Sequence, residues 1–199
     1  MKLHLCLCSL VVPQEIKTQL TVVMHVSERE KSTNTVRLLK LLVPQTSVLY
    51  HGERDSKACL SSSTRPRYLL FPDDSAAELN DEFAAKHPEG ISLVVPDGNW
   101  HQARKMTHRH PELIKLPRVR VSGAGGTLFA VRRAPRGGFL STIEAIALAL
   151  TPFEGQELAN ALNNLLYEMV RRTLWSRLSS SPMPPDFSPT ISTSSMNKG

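Results

Sequence analysis

The chain reads as an α/β protein: a mostly parallel sheet with flanking helices. Short apolar runs, each stopped by a proline, a glycine or a polar residue, alternate with helical patterns, which is how strands buried on both faces are written. The composition is globular, with 41% hydrophobic and 21% charged residues in a chain of 199, enough to bury a sizeable core as one domain.

The elements follow in order. Leu20-Thr21-Val22-Val23-Met24 is a β-rich run ending at the polar His25 and predicts a buried strand. Thr33-Asn34-Thr35 supplies a cap ahead of Val36, Leu38, Leu39, Leu41 and Leu42, and Pro44 closes that helix. A short strand at residues 47–50 and a polar loop through Thr64 come next. A strand at residues 68–71 breaks at Pro72 and leads into a helix over residues 76–85. The run at residues 91–95 predicts a strand broken by Pro96, followed by a helix over residues 100–108. Strands at residues 118–121 and 128–131 bracket a Gly-rich turn, and helices over residues 142–150 and 154–178 close the domain. From Ser179 the chain is rich in Ser, Thr and Pro with few large apolar side chains. Such a segment buries too little surface to offset the entropy of ordering, so residues 179–199 are expected to be a disordered tail on a domain of residues 1–178.

Charge is concentrated. The formal net charge is +6, yet residues 101–136 hold Arg104, Lys105, Arg109, Lys115, Arg118, Arg120, Arg132, Arg133 and Arg136 against the single acid Glu112, a local +8 that leaves −2 for the rest. That density suits a polyanion, nucleic acid first, or a solvated basic face. No apolar run approaches the roughly 20 residues that cross a bilayer, so no membrane partner is expected. Cys6, Cys8 and Cys59 are an odd number, which argues against a disulfide framework and for a reducing, cytoplasmic compartment. Cys6-Leu7-Cys8 supplies two of the four ligands that zinc requires, and no metal is expected.

Three loops follow strands and carry polar or conformationally special residues: Leu70-Phe71-Pro72-Asp73-Asp74-Ser75, Pro96-Asp97-Gly98-Asn99-Trp100 and Leu140-Ser141-Thr142-Ile143-Glu144-Ala145. Ligands of open α/β sheets bind beyond the carboxyl ends of the strands, where these loops cluster. Asp97 at a strand end is placed to accept a proton or face a cation, and Trp100 offers a stacking face. On spacing alone Asp97 is equally suited to capping the helix, with Trp100 in the core. Ser141-x-x-Glu144 has the form of a capping box opening an apolar helix, whose N-terminus presents N–H groups to a ligand.

Asp97-Gly98-Asn99-Trp100, followed by His101-Gln102-Ala103-Arg104-Lys105, resembles the D-x-T-W signature of the DTW-domain family, and Leu140-Ser141-Thr142-Ile143-Glu144-Ala145 resembles its second signature. Cys6-Leu7-Cys8, Ser32 to Leu39, Leu69-Leu70-Phe71-Pro72 and Phe129 to Pro135 match in family order, so the resemblance covers residues 5–175. It implies a SPOUT-like knotted fold and a tRNA-uridine aminocarboxypropyltransferase, which moves the 3-amino-3-carboxypropyl group of S-adenosylmethionine to uridine N3. On that resemblance Asp97 and Trp100 carry the chemistry. Leu70, Phe71, Pro72, Asn99, Leu140, Ser141, Thr142 and Glu144 line the S-adenosylmethionine site, and Arg104, Lys105, Arg132 and Arg133 hold tRNA. Asn99 departs from the family's Thr. A methyltransferase of the same fold, an aminocarboxypropyltransferase acting on ribosomal RNA and a non-catalytic RNA-binding protein are the alternatives.

Overall fold

The computed structural model describes residues 6–52, 59–122, 140–179, 181, 183–185 and 187. Its described strands are β1 (Gln19–His25), β2 (Ser47–His51), β3 (Arg67–Leu70), β4 (Ala77–Glu78), β5 (Ser92–Asp97) and β6 (Arg118–Arg120). They form one sheet in the order β2-β1-β5-β3-β6-β4, parallel at every pairing. The helices are α1 (Val36–Leu42), α2 (Asp81–Ala85), α3 (Trp100–Arg109), α4 (Thr142–Glu154) and α5 (Gln156–Leu178). The α/β class and the parallel sheet expected from the sequence are what the structure has. None of the described helices is long and apolar enough to cross a membrane.

Side chains alternate across the strands and feed two cores. Leu20, Val22 and Met24 of β1 and Leu93 and Val95 of β5 join Leu38, Leu39, Ile146, Leu150, Leu162 and Leu166 of α1, α4 and α5 on one face. Val23, Leu69 and Val94 join Phe71, Ala103, Met106 and Leu113 on the other, beneath α3. A sheet covered on both faces explains why β1 and β5 read as near-continuous apolar runs. Leu150 is completely buried where α4 meets α5, so Leu150→Ala costs about 2–5 kcal/mol. The carboxylate of Glu154 ties the end of α4 to the entry of β1, accepting from the Thr18 N–H at 2.7 Å and the Thr18 hydroxyl at 2.6 Å.

Two local expectations are corrected. The helix over residues 76–85 starts only at Asp81, where the Asn80 side chain accepts from the Phe83 N–H at 2.9 Å. Ala77–Glu78 pairs instead with β6, and the Leu79 N–H bonds to the Arg120 carbonyl at 2.9 Å. Sheet pairing outweighs the helix propensity of Ala-Ala-Glu-Leu there. Pro96 does not break β5: pairing with β1 continues through Val23↔Pro96 to Met24↔Asp97, whereas pairing with β3 ends at Leu69↔Val94. Past Val94 the strand is paired, among the described residues, on its β1 side alone, the setting in which a sheet tolerates proline. At α1 the Thr33-Asn34-Thr35 group supplies the capping bond as expected: Asn34 Oδ1 accepts from the Val36 N–H at 2.8 Å, while Thr35, at the N-cap position, makes no side-chain cap bond.

The strand expected at residues 128–131, the Gly-rich turn before it and Arg132 and Arg133 lie outside the described residues. Of the tail, Ser181 accepts through its carbonyl from Trp175 Nε1 at 2.8 Å, and Phe187 packs on the Trp175 ring with centroids 5.0 Å apart.

Candidate functional site

The sheet order concentrates three strand ends. β1 connects outward to β2, β3 connects the opposite way toward β4, β5 then enters between β1 and β3, and β6 enters between β3 and β4. The reversal lies beside β5, and the crevice beyond the carboxyl ends of such strands is where open α/β sheets hold ligands. Asp97 is the last residue of β5.

Asp97 is 7% exposed and accepts a hydrogen bond from the Thr142 hydroxyl at 2.6 Å. Thr142 is the first residue of α4, so this bond joins two motifs 45 residues apart. Ser141 caps α4 as expected, and the Glu144 carboxylate returns to the cap, accepting from the Ser141 N–H at 2.7 Å and the Ser141 hydroxyl at 2.6 Å. Leu140 is half-buried just ahead of that cap. The box fixes the first turn of α4 and with it the rotamer space of Thr142.

Neither capping by Asp97 nor burial of Trp100 is found. Asn99 caps α3: its Oδ1 accepts from the Gln102 N–H at 2.9 Å, while Gln102 Oε1 accepts from the Asn99 N–H at 2.8 Å. Asn and Thr are both good N-caps, so this residue type suits the position where the family has Thr. Gly98 leaves room between acid and cap, since a Cβ there would press on the Gln102 side chain, 3.0 Å from its Cβ and 3.1 Å from its Oε1. Trp100 is 39% exposed, and its ring is stacked on buried Phe71 with centroids 5.3 Å apart and planes 19° apart. The loop after β3 therefore meets the start of α3 through two aromatic rings. Pro72 beside them is exposed and Leu70 is buried.

Charge at the rim is ordered. The Arg118 guanidinium is ion-paired with Asp73 and lies over the Phe71 ring. The Ser75 N–H and hydroxyl, then Arg118, hold the Asp73 carboxyl below the usual aspartate range. Arg104 and Lys105 are exposed on α3, about one turn past Trp100. Of the residues expected at the site, Phe71 and Trp100 meet, as do Asp97 and Thr142, and Ser141 and Glu144.

Two contributors were not singled out from the sequence. Ser27 Oγ accepts from Gln102 Nε2 at 2.9 Å and lies 2.8 Å from His25 Nδ1, so the end of β1 is tied to the α3 cap. The polar ending of β1 at His25 was the available signal. Among the described residues no group of three or more His, Cys, Asp or Glu is arranged to hold a metal ion.

A family model described as DTW domain matches residues 1–174. The chain is similar to a protein of Drosophila melanogaster named tRNA-uridine aminocarboxypropyltransferase 2, 28% identical over 172 residues, covering 81% of this chain and 67% of the relative. A protein of the same name from Macaca fascicularis is 29% identical over 181 residues, covering 85% of this chain and 57% of the relative. In Arabidopsis thaliana a protein named tRNA-uridine aminocarboxypropyltransferase A is 28% identical over 201 residues, covering 84% and 76%. The chain thus spans between 57% and 76% of the length of these relatives.

Proposed function

The chain belongs to the DTW-domain family, and from that premise we propose that it is a tRNA-uridine aminocarboxypropyltransferase using S-adenosylmethionine as donor. The observation that carries the reading is the 2.6 Å hydrogen bond from Thr142 to Asp97, which brings the two family signatures into one site at the carboxyl edge of the sheet. The names of the relatives support the reaction class.

The residues present suit a donor with a sulfonium, a purine and an amino acid moiety. Asp97 is a nearly buried carboxylate suited to a cationic centre. Phe71 and Trp100 offer aromatic surface for a base. The N-terminus of α4 suits a carboxylate, and Leu70, Pro72 and Leu140 complete the wall. S-adenosylmethionine supplies an electrophilic carbon next to its sulfur: the carbon–sulfur bond breaks as the bond to uridine N3 forms, and methylthioadenosine leaves.

The N3 proton must go to a base. Asp97 accepts that proton or orients the uracil for its loss, with Thr142 fixing the carboxylate. Trp100 stacks on the uracil or the adenine. Arg104, Lys105, Arg132 and Arg133 take tRNA phosphates or the donor's carboxylate. A SPOUT-like knot and a cytoplasmic setting belong to the same reading, the latter supported by the unpaired Cys6, Cys8 and Cys59.

Mass spectrometry of tRNA nucleosides tests it in a strain lacking this chain. A uridine that loses its aminocarboxypropyl adduct, and regains it on complementation, is expected. Loss of a methyl group instead, or an unchanged nucleoside profile, would overturn the proposal.

A further inference from the structure

Beside the Asp97 loop, at the carboxyl ends of β1 and β2, three imidazoles stand together. The His25 and His51 ring centroids are 6.4 Å apart, and those of His51 and His110 are 5.6 Å apart. His25 ends β1, His51 ends β2, and His110 follows α3. No described carboxylate is hydrogen-bonded or ion-paired to these rings. Glu112 is near in sequence, but its carboxylate accepts from the Leu60 N–H at 2.7 Å and the Cys59 thiol at 3.5 Å.

The tautomers of the outer two rings are set by the backbone. His25 Nδ1 accepts from the Ser27 N–H at 3.2 Å and His110 Nδ1 from the Glu112 N–H at 3.3 Å. Each ring therefore carries its proton on Nε2, as a donor. Gly52, at φ +97°, turns the chain directly after His51, and a Cβ there would lie 3.6 Å from His25 Nε2. The groups that face His51 are His110, His25 and Lys105. Burial first, and then those three, push its imidazole below the ordinary histidine value. Three imidazoles thus stand together, with the charge of Lys105 acting on His51 and no described carboxylate bonded to the rings.

We propose that His25, His51 and His110, with Lys105, form a phosphate subsite that holds the RNA strand next to the nucleotide being modified. The inference rests on RNA being the substrate, as read above, and adds the place of one backbone phosphate. The position follows from contacts: Met24 pairs with Asp97 in the sheet, and His25 Cβ is 3.5 Å from where a Cβ on Gly98 would stand. A phosphate oxygen accepting from these donors favours the charged form of His51 and so draws a proton onto it. The sign follows: RNA binds tighter as pH falls from 8 to 6, at most tenfold per pH unit for one proton taken up.

The test follows the histidine Cε1 protons by NMR in the folded chain during titrations with inorganic phosphate and with tRNA. Both probes are expected to raise the titration midpoint of His51. The salt slope of tRNA affinity should steepen by about 0.7–0.9 between pH 8 and pH 6, and His51→Gln should abolish that change while S-adenosylmethionine binding persists. A response to tRNA without one to inorganic phosphate supports the RNA strand as the source of the phosphate. Histidine resonances unmoved by either probe, or a pH dependence retained in His51→Gln, would overturn the subsite. Rings that respond to phosphate in a protein that binds no tRNA would refute RNA as substrate and leave the anion site standing.

Discussion

Replacing Asn99 with Ala removes one acceptor from the first turn of α3 and little else. The exposed side chain makes a single hydrogen bond of this kind, Oδ1 accepting from the Gln102 N–H at 2.9 Å, and the reciprocal bond from the Asn99 N–H to Gln102 Oε1 uses backbone and survives the change. Loss of such a cap costs about 1 kcal/mol, within a range of roughly 0.5–2. In a domain of this size that lowers Tm by about 2–4 °C. Asn99→Thr keeps an N-capping oxygen and should stay within about 0.5 kcal/mol of the parent. The assay pairs thermal unfolding with calorimetric S-adenosylmethionine binding at a temperature well below Tm. Both variants should bind the donor nearly as the parent does, with only the Ala variant less stable. A loss of donor affinity in Asn99→Ala with Tm unchanged would show that the side chain acts on the ligand, and the capping argument would fail.

Other consequences follow from single contacts. Thr142→Val deletes the hydroxyl that Asp97 accepts from; a bond to a nearly buried carboxylate stabilises by about 1.5–3 kcal/mol, so stability and kcat should both fall and Thr142→Ser should restore them, whereas an unchanged kcat would separate Thr142 from the chemistry. Replacing Arg104 and Lys105 together should weaken tRNA binding and flatten the log affinity against log salt slope by roughly one to two units, about 0.7–0.9 per phosphate; a preserved slope would move the RNA surface elsewhere. Deleting residues 179–199 removes Lys198 and Asp186, leaves the net charge unchanged and should barely alter that binding. Asp73, held below its ordinary value of 3.8 by Ser75 and Arg118, contributes stability that is present above that value and lost as pH falls through its folded one. The urea midpoints of parent and Asp73→Asn should therefore converge toward acid pH, and a constant gap from pH 7 to pH 2 would count against this.

What could be read from the residues was what is local. Leu20 to Met24 and Ile91 to Val95 announce buried strands because both of their faces are covered, and Ser141-x-x-Glu144 announces a cap because its partners are three residues apart. The same box stands in Asn99-x-x-Gln102, where the acid two residues earlier drew the reading toward Asp97. Ala77–Glu78 looks helical until β6, some forty residues later, supplies its hydrogen-bond partners. Pro96 looks like a strand end until the order of neighbours shows that β3 has already left that flank. The Thr142–Asp97 bond, the Phe71–Trp100 stack and the histidine cluster are tertiary facts: each joins residues from the ends of different strands and helices, and no periodicity encodes the pairing.

The central claim is that Asp97, held by Thr142 at the end of β5, serves transfer of the aminocarboxypropyl group to a tRNA uridine. Its most direct test incubates the purified chain and its Asp97→Ala variant with tRNA and S-adenosylmethionine labelled in the aminocarboxypropyl carbons, and then analyses the nucleosides. The account predicts label on uridine with the parent and none with a variant whose circular dichroism and donor-free Tm show it folded. Label transferred equally by the folded variant would take Asp97 out of the reaction, and label that ends in S-adenosylhomocysteine while a methyl group appears on the tRNA would contradict the reaction itself.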